Sequence, residues 1–253
     1  MGLLDDKVCV ITGGAGSIGF ASAQRFTREG AKVMLVDLQQ DRLQHAAAEL
    51  KQADVAMYLA DVSDAGQVQA YLDATVAKWG AIDVLFNNAG NPGHVAPITE
   101  YPEEVFDRTM AIHARGAFLA CKYGLPRMKN GGSLIITSSL AGVRGGGGGN
   151  ISYVAAKHAQ IGIMRAAARA AAGRAIRVNT INPGPVDNEF QTGIEIAMSR
   201  MGGTNVTEQL DQQIPLKRHA HPDEIAGVAL YLACDLSSYV TGTIHMVDGG
   251  MMS

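Results

Sequence analysis

Val8-Cys9-Val10-Ile11 is an apolar run without polar alternation, and it leads directly into Thr12-Gly13-Gly14-Ala15-Gly16-Ser17-Ile18-Gly19. A strand with one wet face alternates polar and apolar residues. A run without alternation fits a strand buried on both faces, as in a parallel sheet covered by helices. The residues after the turn, to about Glu29, read as a helix. Strand, glycine turn, helix is the context a dinucleotide-binding turn needs, and Gly14, Gly16 and Gly19 satisfy G-x-G-x-x-G. Such a turn lets backbone approach a pyrophosphate at a helix N-terminus, where N–H donors and positive potential meet it. Taken alone, the same residues also fit a plain glycine turn.

The alternation repeats. Lys32–Val36, Val55–Leu59, Ile82–Phe86, Gly132–Ile136, Arg177–Ile181 and Thr243–Val247 read as strands. Between them, Gln39–Lys51, Ala65–Trp79, Pro102 to about Met128 (one or two helices), Ser152–Ala172 and Asp223–Leu232 read as helical. Asn188–Gln213 is less regular. Met198 and Met201 there suit either an adaptable flap over a pocket or gap filling in a small helical excursion. The connections are short, so the expected fold class is α/β, a Rossmann-like doubly wound parallel sheet with helices on both faces, with residues 1–253 as a single domain. Its ligand belongs at the C-terminal ends of the strands, where the sheet order reverses. Asp37, Asp61 and Asn88 all fall at such ends. Asp37 can accept both adenosine ribose hydroxyls, or it can cap the next helix.

Composition removes other classes. The net charge is only -3 and no basic cluster suggests nucleic acid. No apolar run reaches the ~18 residues of a membrane span, and Met1 to Lys7, with two aspartates, does not read as a signal peptide. Cys9, Cys121 and Cys234 are scattered without metal spacing and fit reduced thiols in a cytoplasmic protein. Gly145 to Gly149 is too short for a domain linker.

Tyr153 and Lys157 stand at i and i+4 in the alanine-rich helical run, so they share a face. A free phenol titrates near ~10 and is a poor base at neutral pH. A neighbouring ammonium favours the phenolate, and bringing it to about 7 takes roughly 4 kcal/mol. The bland alternative is a solvated surface pair. Thr137-Ser138-Ser139 ends the fifth strand, placing hydroxyls either to meet a substrate or to cap the next turn.

Together the chain resembles the short-chain dehydrogenase/reductase family over nearly its whole length. The resemblance rests on Thr12-Gly13 with Gly19, Asp61-Val62, Asn88-Ala89-Gly90, Ser139, Tyr153-x-x-x-Lys157, Asn182-Pro183-Gly184 and Tyr239-Val240-Thr241-Gly242 with Val247-Asp248-Gly249-Gly250. It implies seven parallel strands, an NAD cofactor, a small-molecule alcohol or ketone substrate, and a homotetramer using the helices around Met110–Met128 and Ser152–Ala172. It implies Tyr153 as general acid/base, Lys157 as the residue that binds the nicotinamide ribose and lowers the tyrosine pKa, and Ser139 as the substrate-oxygen contact, with Ser138 as runner-up. The cofactor would meet Gly13, Ser17, Ile18, Gly19, Asp37, Leu38, Asp61, Val62, Asn88, Ala89, Gly90, Pro183, Gly184, Val186 and Asn188. The substrate would meet His94, Leu140, Arg144 and the Asn188–Met201 flap, whose mostly apolar character suggests an uncharged, hydrophobic compound. Reduction of a C=C bond is disfavoured, because that branch spaces its tyrosine and lysine further apart.

Three positions depart from the family pattern. Ser17 stands where a glycine is usual, Asn188 where a threonine is usual, and His113 where an asparagine holds a water in the proton relay. His113 either carries that role or is structural. No metal is expected. A non-catalytic dinucleotide sensor or scaffold on the same fold is the alternative function, since fold does not fix function.

Asp37 followed by Leu38, Gln39 and Gln40 predicts NAD over NADP, because a carboxylate repels a 2′-phosphate. The ratio of kcat/KM for the two cofactors measures this; equal or better use of NADP sinks the prediction, and Asp37→Ala should narrow the gap.

Overall fold

The computed structural model describes residues 2–50, 54–145 and 149–253. The helix end expected at Lys51 and the middle of the glycine run, Gly146 to Gly148, lie outside the described residues, as does the side chain of Met201. The described residues form seven strands: β1 (Val8–Thr12), β2 (Lys32–Asp37), β3 (Val55–Leu59), β4 (Ile82–Asn87), β5 (Met128–Thr137), β6 (Arg177–Pro183) and β7 (Ile244–Val247). They make one sheet in the order β3-β2-β1-β4-β5-β6-β7, with every pairing parallel. The helices are α1 (Ser17–Arg28), α2 (Gln40–Glu49), α3 (Ala65–Trp79), α4 (Glu103–Met110), α5 (Gly116–Leu119), α6 (Ile151–Ala171), α7 (Glu189–Gly202), α8 (Val206–Gln213) and α9 (Pro222–Ala233).

Successive strand residues point to opposite faces, and both faces are buried. Cys9, Ile11, Val33, Leu35, Val84 and Phe86 meet Phe26 of α1, Leu43 of α2 and Ile225 of α9. Val10, Met34, Leu85 and Leu134 meet Tyr71 and Leu72 of α3, Leu119 of α5 and Met164 of α6. This is why the strands read as unbroken apolar runs. Each such side chain contributes roughly 1.5–3 kcal/mol on burial. β3 is the edge, and its Met57 and Leu59 are exposed.

Two stretches differ from the sequence expectation. Asn188–Gln213 is not irregular but forms α7 and α8. Asn188 Oδ1 caps α7 by accepting from Gln191 N at 2.8 Å, and Asn205 Oδ1 caps α8 by accepting from Glu208 N at 3.3 Å. Between them Gly203, at φ 67, turns the chain as a left-handed C-cap. The segment after Pro102 is α4 and α5 joined by a π turn, Ala111–Arg115, with a second π turn at Ala120–Gly124. A π turn frees backbone groups from the regular ladder. Here the His113 carbonyl accepts from Gln160 Nε2 of α6, at 3.2 Å, as well as from the Gly116 backbone.

The strand ends are cross-tied. Thr12 Oγ1 accepts from Asn88 N at 3.0 Å and Ala89 N at 3.1 Å, and Thr137 Oγ1 donates to Asn88 Oδ1 at 3.0 Å. Thr12→Val keeps the shape but removes the acceptor from two amides. Leaving a buried donor unpaired costs about 1–3 kcal/mol, so the variant should lose roughly 2 kcal/mol or more in urea unfolding with an unchanged m-value.

Candidate active site

A cleft of about 980 Å³ runs along the C-terminal ends of the strands, crossing the β1/β4 point where the order reverses. At one end lies the glycine turn. Gly13 has φ +63, and a Cβ on Gly19 would sit 2.1 Å from the Gly13 carbonyl oxygen. Gly19 therefore packs beneath the turn, while Gly13, Ser17 and Ile18 line the cleft. No side chain caps the N-terminus of α1 and no acid stands in its first turn. Its amides suit an anionic diphosphate.

Asp37 ends β2 with both carboxylate oxygens engaged by backbone. Oδ2 accepts from Ala15 N at 3.0 Å, and Oδ1 accepts from Leu38 N at 2.8 Å and Gln39 N at 3.2 Å. Leu38 lines the cleft beside it. Arg42, in the first turn of α2, also lines the cleft and pairs with Glu189 of α7 at 3.4 Å. Both partners are exposed, so the pair itself is weak. Asp61 lines the wall with Val62. Its Oδ1 accepts from Ser63 N at 2.8 Å and Ser63 Oγ at 2.6 Å, and its Oδ2 accepts from Arg108 Nη2 at 2.8 Å. Burial pushes this carboxyl up, but the Ser63 bonds and the Arg108 guanidinium outweigh it and hold it below its usual value.

At the other end, α6 brings Tyr153 and Lys157 against the end of β5. Lys157 is buried, and its Nζ donates to the Thr137 carbonyl at 2.7 Å. It lies 5.3 Å from the Tyr153 ring centroid. Burial pushes the ammonium down to about 7. Burial also pushes Tyr153 up to about 12, with the Ser139 hydroxyl pulling the other way. Burial thus opposes the charged form of both groups and outweighs the lowering of the phenol expected from Lys157. The two serines have different partners. Ser138 is buried and its Oγ donates to the Lys157 carbonyl at 2.9 Å. Ser139 Oγ accepts from Ala141 N at 3.1 Å, capping the next turn, which leaves its proton to donate into the cleft.

His113 is 1% exposed, in the π turn between α4 and α5. Its Nε2 faces the Asn91 backbone, 3.1 Å from the amide nitrogen and 2.9 Å from the carbonyl oxygen. Its Nδ1 has no partner among the described residues. The ring stands edge-on to Tyr153 at 5.5 Å. A Cβ on Gly90 would come 2.5 Å from its Cε1, so the imidazole occupies the space a side chain there would need. Burial first, and the Lys157 charge second, hold His113 well below the usual imidazole value. It adds no ionisation near neutral pH.

Asn88, Ala89 and Gly90 line the centre of the cleft, and Pro183, Gly184, Val186 and Asn188 its far wall. Asn188 Nδ2 donates to Ser17 Oγ at 3.0 Å, so two of the departures from the family pattern meet across the cleft. Leu140 lines the substrate side and Arg144 its exposed rim. His94 is not among the lining residues. It is exposed, its backbone N donates to Tyr101 Oη at 2.9 Å, and its ring packs edge-on against Tyr101. Arg42 and Arg108 line the cleft without having been singled out from sequence, because no short motif marks them, whereas Phe190 and Ile194 fall within the expected Asn188–Met201 flap.

Residues 13–252 match the family model described as enoyl-(acyl carrier protein) reductase. An uncharacterised oxidoreductase of Bacillus subtilis is 39% identical, covering 100% of this chain and 93% of its own. Levodione reductase of Leifsonia aquatica is 37% identical over 97% of this chain and 94% of its own. The crystal structure of NAD⁺-bound xylitol dehydrogenase superimposes with a TM-score of 0.93 at 33% identity, covering 98% of this chain and 99% of that one. The chain belongs to the short-chain dehydrogenase/reductase family of oxidoreductases. Among the described residues no helix is long and apolar enough to cross a membrane.

Lys157 carries a stability cost. Its unfolded-state value near 10.5 falls to about 7 in the fold. At roughly 1.36 kcal/mol per pH unit that is several kcal/mol at neutral pH. The folded state therefore gains stability as pH rises from about 7 toward 10.5. Lys157→Met, without added cofactor, should unfold at higher urea than the natural protein at pH 7, by a few kcal/mol. That advantage should shrink as pH approaches 10.5.

Proposed function

We propose that this protein transfers a hydride between NAD(H) and an uncharged secondary alcohol or ketone, with Tyr153 as general acid/base. The observation that carries the reading is the convergence of Tyr153, Lys157 and the free proton of Ser139 at the end of β5, inside the cleft that begins at the glycine turn. The similarity to levodione reductase and xylitol dehydrogenase supports carbonyl–alcohol chemistry, and the NAD⁺ bound to the latter supports the cofactor. The substrate wall also supports an uncharged compound. Phe190, Ile194 and Met198 of α7 lie at i, i+4 and i+8 and line the cleft, with Phe190 5.9 Å from the Tyr153 ring.

The cofactor supplies the hydride when bound; the chain supplies position and protons. The α1 amides would receive the diphosphate, Asp37 would take the adenosine ribose hydroxyls, and Lys157 would hold the nicotinamide ribose. In the reductive direction Tyr153 begins as a neutral phenol, the form its burial favours, and donates its proton to the carbonyl oxygen. Ser139 donates a second hydrogen bond to that oxygen and stabilises the negative charge developing there. In the oxidative direction Tyr153 must act as phenolate. A cationic Lys157 beside the ring favours that state. His113 Nδ1, without a partner among the described residues, offers a relay water a hydrogen-bonding site.

Tyr153→Phe removes the proton-transfer group alone. It should lower kcat by about 10²-fold or more while NADH still binds with near-natural affinity. Lys157→Met should lose both turnover and cofactor affinity. The assay is NADH formation against a panel of cyclic and aryl secondary alcohols, with cofactor binding followed by NADH fluorescence. Near-normal turnover in Tyr153→Phe sinks the assignment.

A further inference from the structure

α7 forms the substrate-side wall of the cleft, yet its hold on the rest of the molecule runs through a polar cluster that the chemistry does not use. Glu195, on the face of α7 turned from the cleft, is 3% exposed. Its Oε1 accepts from Gln191 Nε2 at 2.8 Å and faces His219 Nε2 at 2.7 Å, and its Oε2 accepts from Thr207 Oγ1 of α8. The other ring nitrogen, His219 Nδ1, faces Asp211 Oδ1 of α8 at 2.8 Å. One imidazole therefore stands between a carboxyl from each flap helix. Two carboxylates can be satisfied this way only if both ring nitrogens carry protons. An imidazolium at His219 would give each carboxylate an N–H donor.

His219 is anchored to the body of the fold. Its neighbour Ala220 forms a parallel bridge with Val186; Asp187 N donates to Ala220 O at 2.9 Å, and Ala220 N donates to Pro185 O at 2.9 Å. Pro185 and Val186 belong to the cleft wall that leads into α7.

We propose that His219 is the positioning residue of the substrate wall. Its imidazolium ties Glu195 of α7 and Asp211 of α8 to the Pro185–Asp187 wall and so holds Phe190, Ile194 and Met198 over Tyr153. The hold loosens when His219 loses its proton. This deepens the proposed function and rests on it, since it assigns that wall to substrate.

The other charged groups around His219 have partners of their own. Arg218 pairs with Glu224 of α9 at 2.7 Å and also donates to the His219 carbonyl at 3.0 Å. Lys217 Nζ donates to the Gln212 carbonyl at 2.6 Å, and His221 Nδ1 accepts from Asp223 N at 3.3 Å. Asp187 reaches the segment through its backbone amide. Burial pushes the His219 imidazole down, but its bonds to Glu195 and Asp211 outweigh this and raise it above the usual 6.5. The contribution is thus fully present below about 6.5 and is lost as pH rises through the raised value.

The test is hydrogen exchange of peptides spanning α7 and α8 in the intact protein across pH 5.5–9, expressed as protection factors. In the natural protein, protection of α7 and α8 should fall about tenfold or more as pH rises, relative to α1. In His219→Gln it should be low and independent of pH. In Asp211→Asn, which keeps the Glu195 bond but removes one charge, the fall should move to lower pH. The KM for cyclohexanol at saturating NAD should rise over the same pH range in the natural protein, with kcat changing less. His219→Gln should flatten that profile. A pH-independent flap in the natural protein, or an identical fall in His219→Gln, overturns the proposal. If cyclohexanol is not turned over, exchange still decides whether His219 holds the flap, so that failure falls on the substrate reading alone. If His219→Gln does not fold, the position of the fall in Asp211→Asn decides: an unmoved fall overturns the proposal.

Discussion

The hydrogen bond from Lys157 Nζ to the Thr137 carbonyl joins α6 to the end of β5 inside the protein. It places an ionisable group where burial works against its charge, and the surrounding residues are arranged around that cost. Ser138 returns a hydrogen bond to the Lys157 carbonyl, and Asn182 Nδ2 donates to the Ser139 carbonyl at 2.8 Å from β6. Thr137 in turn donates to Asn88, which is tied to Thr12. One continuous polar lattice thus crosses β1, β4, β5 and β6 at the strand ends. A doubly wound sheet buried on both faces leaves this end as the place where side chains can be both held and reachable. Such sites are expected to trade stability for function, and Lys157 shows the trade directly.

The departures from the family pattern become intelligible in three dimensions. Ser17 and Asn188 are 171 residues apart and hydrogen-bonded, so each supplies what the other needs. A glycine at residue 17 would leave the Asn188 amide without this acceptor. His113 faces the Asn91 backbone through one ring nitrogen and keeps the other without a partner among the described residues, beside a glycine that makes room for the ring. Its imidazole is held neutral by burial and by Lys157, so whatever it contributes is as a neutral group.

α7 is held by contacts of different strength. Arg42 and Glu189 meet at the surface, where salt and water screen them. Glu195 and His219 meet largely out of solvent, where an unpaired carboxylate is costly, with Asp211 partly exposed on the other ring nitrogen.

The order of strands and helices, the glycine turn, the placement of Asp37, Asp61, Asn88 and Ser139 at strand ends, and the shared helical face of Tyr153 and Lys157 were legible in the sequence. They depend on local rules: period, turn chemistry and helical spacing act over a few residues. α7 and α8 were less legible, because residues of both turn toward the cleft and not the main core. The tertiary structure alone decided which charges meet. His94, next to a recognisable turn, is exposed beside Tyr101, whereas Arg108 reaches the cleft from α4 to meet Asp61, 47 residues earlier. The directions of the Tyr153 and Lys157 shifts also came only from the fold. Spacing brings an ammonium near a phenol, but burial sets how much charge either can carry, and burial is a property of everything packed around them.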